Sequence, residues 1–239
     1  MRPASKTALR KSGRAAARKA STEIEVKLRV PDERRLLRQL TRLGARMTRA
    51  RVHEMNTLYD TPEGNLARHG QMLRLRVERP AGRTDGAGKA RKMANAKPEM
   101  CALVTFKGPA QEAANISGRY KVREEHELRI SDPEELPKIF EALGLRPCFR
   151  YEKFRTTFSL PGMMRLKVTL DETPMGFFVE LEGERQEIDR AAGMLGFARS
   201  GYINQSYGAL FAQERGLAGA TSGKEPLPFS GLTDMLFRS

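Results

Sequence analysis

The segment STEIEVKLRV, residues 21–30, alternates charged and apolar side chains: Glu23, Glu25, Lys27 and Arg29 interleave with Ile24, Val26, Leu28 and Val30. On a strand successive side chains point to opposite faces, so two carboxylates and two cations share one face. Carboxylate oxygens bind hard divalent cations. Lysine and arginine bind phosphate oxygens, arginine through a two-pronged fork. One face thus carries donors for a metal and for a polyanion.

The pattern recurs. MLRLRVE places Arg74 and Arg76 on one parity, and LVTFKG places Lys107 beside Thr105. RYKVREEHELRI aligns Arg119, Lys121, Arg123, Glu125 and Glu127. YEKFRTTF aligns Tyr151, Lys153 and Arg155; RLKVTLD aligns Arg165, Lys167 and Asp171; FVELEG aligns Glu180 and Glu182. A solvated outer sheet face would explain any one strand. The set is different, because its signs are partitioned: acids gather on the first, fifth, seventh and eighth strands, and Arg74, Arg76 and Lys107 lie in acid-free stretches. Such faces fit a barrel with its charged parity inward. Unpaired buried charges cost several kcal/mol each, so that interior must hold water, ions or a charged ligand. A polyphosphate carrying Mg²⁺ or Mn²⁺ matches both donor types.

Elements to position these side chains are legible in the alternation. Strands are predicted near 22–30, 46–58, 71–79, 101–107, 119–130, 149–159, 164–171 and 177–183. A helix follows Asp32, with Leu36, Leu37, Leu40 and Leu43 as its apolar stripe and Gly44 as its stop. A second starts at SDPEEL, capped by Ser131 or Asp132, and stops at Gly144. A third runs from Glu184 to Leu195, and a fourth spans 203–215. Eight strands and few helices predict an α+β protein, mainly antiparallel β, closed as a barrel with flanking helices.

The 239 residues suffice for one large domain, and 39% of them are hydrophobic. No run of about 18 apolar residues predicts a membrane span. Cys101 and Cys148 are the only cysteines, and a reduced, cytoplasmic protein is the simpler expectation. His53, His69 and His126 are isolated. The net charge of +14 suggests nucleic-acid binding, but residues 1–20 hold +7 of it and residues 79–97 another +5, leaving +2 elsewhere. Residues 1–20 read as a disordered basic tail able to make weak, nonspecific contact with nucleic acid or polyphosphate, and they also resemble a transit peptide. Residues 80–98 read as a basic loop insertion and 216–239 as a flexible extension, bracketing a domain at 21–215.

EIEVK, LRLR, TFKG, YKVREEHE, RYEKFRTTF, LDETPMGFFVELEG and NQSYGAL, in this order over residues 21–212, resemble the CYTH superfamily of triphosphate tunnel metalloenzymes. NTLYDTPEGNLARHGQMLRLR is similar to bacterial members labelled class IV adenylate cyclases. The resemblance implies an eight-stranded tunnel binding a triphosphate-containing small molecule and divalent metal. It implies Glu23, Glu25, Glu180 and Glu182 as metal ligands, with Asp171 supporting or ligating a second metal and Glu125 and Glu127 as further functional acids. It implies Lys27, Arg74, Arg76, Lys107, Lys153 and Arg155 on phosphate oxygens, Arg123 and Lys167 as further lumen cations, and Lys27, Arg76 and Arg155 in the chemistry. The expected reaction is hydrolysis of inorganic triphosphate or a nucleoside triphosphate. The alternatives are cyclisation of ATP to cyclic AMP and pyrophosphate, and non-catalytic binding of polyphosphate or nucleic acid. Two departures stand out: the long basic loop, and INQSYGAL where some members place a closing lysine. Neither oligomeric state nor the general base follows from the sequence.

Overall fold

The computed structural model describes residues 21–81, 100–111 and 119–214. The basic tail, most of the 80–98 loop and the 216–239 extension lie outside the described residues. Eight strands form a closed, wholly antiparallel barrel in the order β1-β5-β4-β3-β2-β6-β7-β8. They are β1 (Ser21–Val30), β2 (Arg46–Asp60), β3 (Met72–Pro80), β4 (Cys101–Lys107), β5 (Lys121–Ile130), β6 (Arg146–Leu160), β7 (Met163–Thr173) and β8 (Gly176–Glu182). Closure leaves no sheet edge unpaired. The helices are α1 (Glu33–Arg42), α2 (Asn65–Arg68), α3 (Glu135–Ala142), α4 (Arg185–Met194) and α5 (Tyr207–Glu214).

The apolar parity faces outward under helices. Val26 and Leu28 of β1, Leu166, Val168 and Leu170 of β7, and Val179 and Leu181 of β8 form one core with Leu36 and Leu40 of α1 and Ile188, Ala191 and Ala192 of α4. A smaller core joins Tyr59 and Leu75 to Phe140 of α3. The hydrophobic mass therefore surrounds the barrel wall and the ionic parity is left inside, the reverse of an ordinary small barrel. Asp32 caps α1 by accepting from the Arg35 amide at 3.0 Å; at α3 the cap position is Glu134, without a side-chain capping bond, and Asp132 two residues earlier accepts from the Glu134 and Glu135 amides. The stops at Gly44 and Gly144 take positive φ, where a β-carbon would be strained.

Several local expectations change. Leu37 is exposed, because the burial stripe of α1 narrows to Leu36 and Leu40. The last helix starts at Tyr207 rather than 203, since Ile203 instead exchanges two backbone hydrogen bonds with Lys27 of β1. The fifth strand starts at Lys121, leaving Arg119 outside the barrel pairing. Arg165 is exposed and pairs with Glu184 at the surface. A short helix, α2, was not anticipated. Asp60 creates it by accepting from the Thr61, Leu66 and Ala67 amides at 2.7–2.9 Å, which satisfies the free donors of that turn. Cys101 and Cys148 are free thiols, and no helix among the described residues is long and apolar enough to cross a membrane.

Candidate active site

Strand register decides which side chains meet inside the barrel. β1 pairs with β8 so that Lys27 faces Glu180 and Glu25 faces Glu182. β6 pairs with β7 so that Arg155 faces Asp171. β4 pairs with β5 so that Lys107 faces Glu125 and Thr105 faces Glu127. At the end of β8, Gly183 sits so close to β7 that a β-carbon would lie 2.8 Å from the Arg165 carbonyl oxygen. That approach holds Glu182 against Lys167.

Lys27, Arg74, Arg76, Lys107, Lys153 and Arg155 are all buried. Only carboxylates, hydroxyls and amides of the lumen make such burial tolerable. Asp171, fully buried, takes two bonds of 2.6 Å from the Arg155 fork, one of 2.7 Å from Lys153 and one of 2.7 Å from the Tyr207 hydroxyl. Arg155 also reaches Glu180, which lies 2.8 Å from Lys27. Burial opposes the charge on Glu180, yet Lys27, Arg155 and Lys153 outweigh it and hold the carboxyl well below its ordinary range. Burial and the Asp171 carboxylate push the Tyr207 phenol well up, so it stays a donor. The Tyr207 ring lies against Lys27 and Lys153, with the ammonium nitrogens 4.4 and 4.7 Å from its centre, and packs edge-on to Phe178. α5 thus packs Tyr207 against the lumen cations.

On another part of the wall the carboxylates crowd one another. Lys107 pairs with Glu23 and lies 3.5 Å from Glu125, and Lys121 lies 3.7 Å from Glu25. Burial, then the neighbouring Glu25 and Glu125 charges, push the Glu23 carboxyl up to about 7 against the pull of Lys107. Burial also pushes Glu25 upward, but Lys107 and Lys27 prevail and hold it below the ordinary value. Burial lowers the Lys121 ammonium to about 8, helped by the nearby cations Arg123, Lys27 and Lys107.

Not every expected residue joins these groups. Lys167 and Glu182 pair with each other at 2.6 Å on the exposed rim. Glu127 is exposed and accepts from the Thr105 hydroxyl, which itself accepts from Arg74 at 3.2 Å. Arg123 is partly buried and faces Glu23 in register. Asp171 lies among cations rather than carboxylates, and its oxygens are already taken by four donors. The stretch of β3 read as free of acids is not so in space: Arg76 lies 3.4 Å from Glu54 and 3.6 Å from Glu78, both buried. Its Nε also donates to Asn56 at 3.1 Å.

Glu54, Asn56 and Glu78 were missed as site residues. Glu78 was readable as the continuation of the Arg74 and Arg76 parity. Glu54 and Asn56 were not, because their parity on β2 also carries Val52 and Leu58 and no charged face emerges. Tyr151 gains significance as well: it is hydrogen-bonded to Arg74, and although burial opposes ionisation, Arg74, Lys153 and Arg76 bring its phenol below the ordinary value.

Whether a hard divalent ion suits this lumen turns on its acids. Among the described residues no three His, Cys, Asp or Glu side chains already converge on one point. The donor chemistry nevertheless fits. Glu25 and Glu182 are direct cross-strand neighbours, each also beside a lysine, and burial, then the Glu25 and Glu125 charges, push the Glu23 carboxyl up. All are oxygen donors of the kind Mg²⁺ and Mn²⁺ take.

A closed eight-stranded barrel with six buried cations and facing carboxylates defines a tunnel for anions. The CYTH domain family matches residues 21–195, and the chain belongs to that family. The chain is 25% identical over 168 residues to a Methanocaldococcus jannaschii protein named as a candidate adenylate cyclase, covering 70% of this chain and 79% of that protein. Its fold is shared with a Vibrio parahaemolyticus protein also described as a candidate adenylate cyclase, at TM-score 0.63 and 18% identity over 81% of this chain and 99% of that one. It is shared too with a Hippeastrum protein, described as a candidate adenylyl cyclase with a dominant triphosphatase activity, at TM-score 0.52 and 22% identity over 80% and 96% of the two chains.

Proposed function

We propose that the protein is a divalent-metal-dependent phosphoryl-transfer enzyme that hydrolyses inorganic triphosphate or a nucleoside triphosphate inside the barrel. The observation that carries this reading is the convergence of Lys27, Arg74, Arg76, Lys107, Lys153 and Arg155, all buried, on one lumen. Charge of that density in a low-dielectric space is stabilised by a multiply charged anion. Glu23, Glu25 and Glu180 would hold Mg²⁺ or Mn²⁺, and Glu182, at the rim beside Glu25, would join them on leaving Lys167. When bound, the ion would neutralise charge on the phosphate oxygens.

The residues of the chain account for the rest. Arg155 and Lys153, fixed by Asp171, present their remaining donors to phosphate oxygens without reorganising. Arg74 and Arg76 grip the chain from β3, on the far side of β2 from β6, and Lys27 and Lys107 from the carboxylate side. An incoming triphosphate competes with Glu23 for Lys107 and with Glu180 for Lys27, freeing those carboxylates. In the reaction a water oxygen bonds to the terminal phosphorus, and the bond to the bridging oxygen breaks. Pyrophosphate or a nucleoside diphosphate leaves, and the proton given up by water ends on the products or in solvent.

Purified protein incubated with tripolyphosphate or ATP and Mg²⁺ or Mn²⁺ tests this directly. Orthophosphate release is the expected outcome. Cyclic AMP with pyrophosphate would establish the cyclase reading that the names of the relatives favour, and binding without turnover would reduce the tunnel to an anion site. Arg76→Ala should lower kcat/KM by about a hundredfold through lost charge stabilisation. Unchanged kinetics would remove Arg76 from the phosphate path.

A further inference from the structure

We propose that Glu54 is a positioning residue: a fixed buried anion that orders Arg76, Lys153 and Arg155 and weakens the tunnel's hold on phosphate so that the products of hydrolysis leave. The proposal rests on the triphosphate reading of the tunnel. Glu54 has no solvent exposure, and neither of its oxygens has a hydrogen-bond partner among the described residues. Oε1 lies 3.4 Å from Arg76 Nη1 and 3.7 Å from Arg155 Nε; Oε2 lies 3.7 Å from Lys153 Nζ. These spacings exceed hydrogen-bond length, so Glu54 acts on three cations through charge without capturing any of them. Asp171 is the contrast, since it ties up Arg155 and Lys153 with bonds of 2.6–2.7 Å. Glu78, directly across from Glu54 in register, lies 3.6 Å from the same Arg76 nitrogen. Arg76 is therefore straddled by two buried acids.

The consequence for an anion follows from Coulomb's law. A phosphate group drawn to Arg76, Lys153 and Arg155 must come close to the Glu54 carboxylate, and like charges repel far more strongly inside a protein than in water. Orthophosphate sets that repulsion against only a few contacts. A triphosphate on the same cations also engages Lys27, Lys107 or Arg74, which offset it. After cleavage the short product loses those extra contacts and is expelled.

Titration calorimetry on the full chain, in chelator, with orthophosphate, pyrophosphate and tripolyphosphate separates this role from a structural one. Glu54→Gln keeps the shape and removes the charge. It should tighten all three anions, by about tenfold for orthophosphate and pyrophosphate. In steady-state assays it should show stronger product inhibition and a lower kcat without a matching rise in KM. A purely structural loss would weaken all three anions together, and that result overturns the proposal, as does an unchanged affinity for orthophosphate and pyrophosphate. If Glu54→Gln does not fold, the charge-balanced double variant E54Q/R76Q is compared with R76Q, and the double must bind orthophosphate more tightly. A wild-type protein that binds no tripolyphosphate would overturn the tunnel reading itself. Wild-type tripolyphosphate binding with unaltered product affinity in the variant would overturn only the part given to Glu54.

Discussion

Around Asp171, two cations and a phenol direct four donor bonds at one buried carboxylate, at 2.6–2.7 Å. Around Glu23, partly buried acids face one another as well as Lys107, and the shifts go the opposite way: a carboxyl pushed up to about 7 and, at Lys121, an ammonium brought down to about 8. The residue types are the same in both places. In the first, charge is matched and locked, so the group can serve as a rigid template that presents the spare faces of Arg155 and Lys153. In the second, charge is mismatched and sits near its titration point, so a change of partner costs little. A template and an exchangeable site on facing walls suit a reaction in which an anion and a cation enter together.

Removing Asp171 should show the largest effect. Asp171→Ala leaves Lys153 and Arg155 buried without their main partner, and breaking a buried pair from one side costs about 3–5 kcal/mol. Glu23→Ala should cost no more than about 1 kcal/mol, because at neutral pH that carboxylate is already held against its neighbours. Unfolding midpoints in urea measure both. Equal losses would mean that the two groups are equally settled and that the contrast is only apparent.

The middle prediction sharpens the chemical side. Glu25→Gln removes one charge beside Glu182 while keeping the shape. Metal-dependent turnover should fall at least by the roughly 10–100-fold that the loss of a partner supporting a metal ligand costs. Stability should change by no more than about 1 kcal/mol. Undiminished turnover in a folded variant would take Glu25 out of any metal site.

The fold was legible because its cause is local. Alternation of Ile24, Val26 and Leu28 with Glu23, Glu25 and Lys27 tells a strand which side to turn outward, and the repetition of that pattern on seven of the eight strands implies a shared ionic interior. Strand ends drifted by a few residues where loops compete for them, as at Arg146–Phe149 of β6, which extends the strand to meet β2. The site was legible for residues that continue a charged parity. It was obscure where function depends on register across strands. No sequence pattern places Glu54 beside Arg155, because β2 meets β6 through irregular register near Val52. Nor does any pattern show that Asp171 spends its oxygens on Tyr207, thirty-six residues away. Lys167 and Glu127 look equivalent to their neighbours in sequence, yet they fall at the rim, where the strands leave the enclosed part of the tunnel.

The smallest effect is the dependence of stability on pH, and its sign is specific. Glu23 binds its proton more tightly folded, at about 7, than at its ordinary 4.5, so the folded state holds more protons between those values. Stability must therefore fall as pH rises from about 4.5 through 7. Lys121 behaves oppositely, from an ordinary 10.5 to about 8, so the unfolded state holds more protons between 8 and 10.5 and stability must climb there. Glu25 and Glu180, held below their ordinary values, act in a separate window: their stabilisation is full above 4.5 and is lost as pH falls through their folded values. The metal-free protein should thus show a shallow minimum in melting temperature between about pH 7 and 8. Glu23→Gln should flatten the acid-side descent and leave the alkaline rise intact. Mg²⁺ or Mn²⁺ should raise the melting temperature more at pH 8 than at pH 6, since the ion then meets an ionised Glu23 and displaces no proton. A wild-type profile that rises steadily from pH 5 to 8 would show that Lys107 alone neutralises Glu23, and the two walls would then differ in geometry but not in readiness to exchange partners.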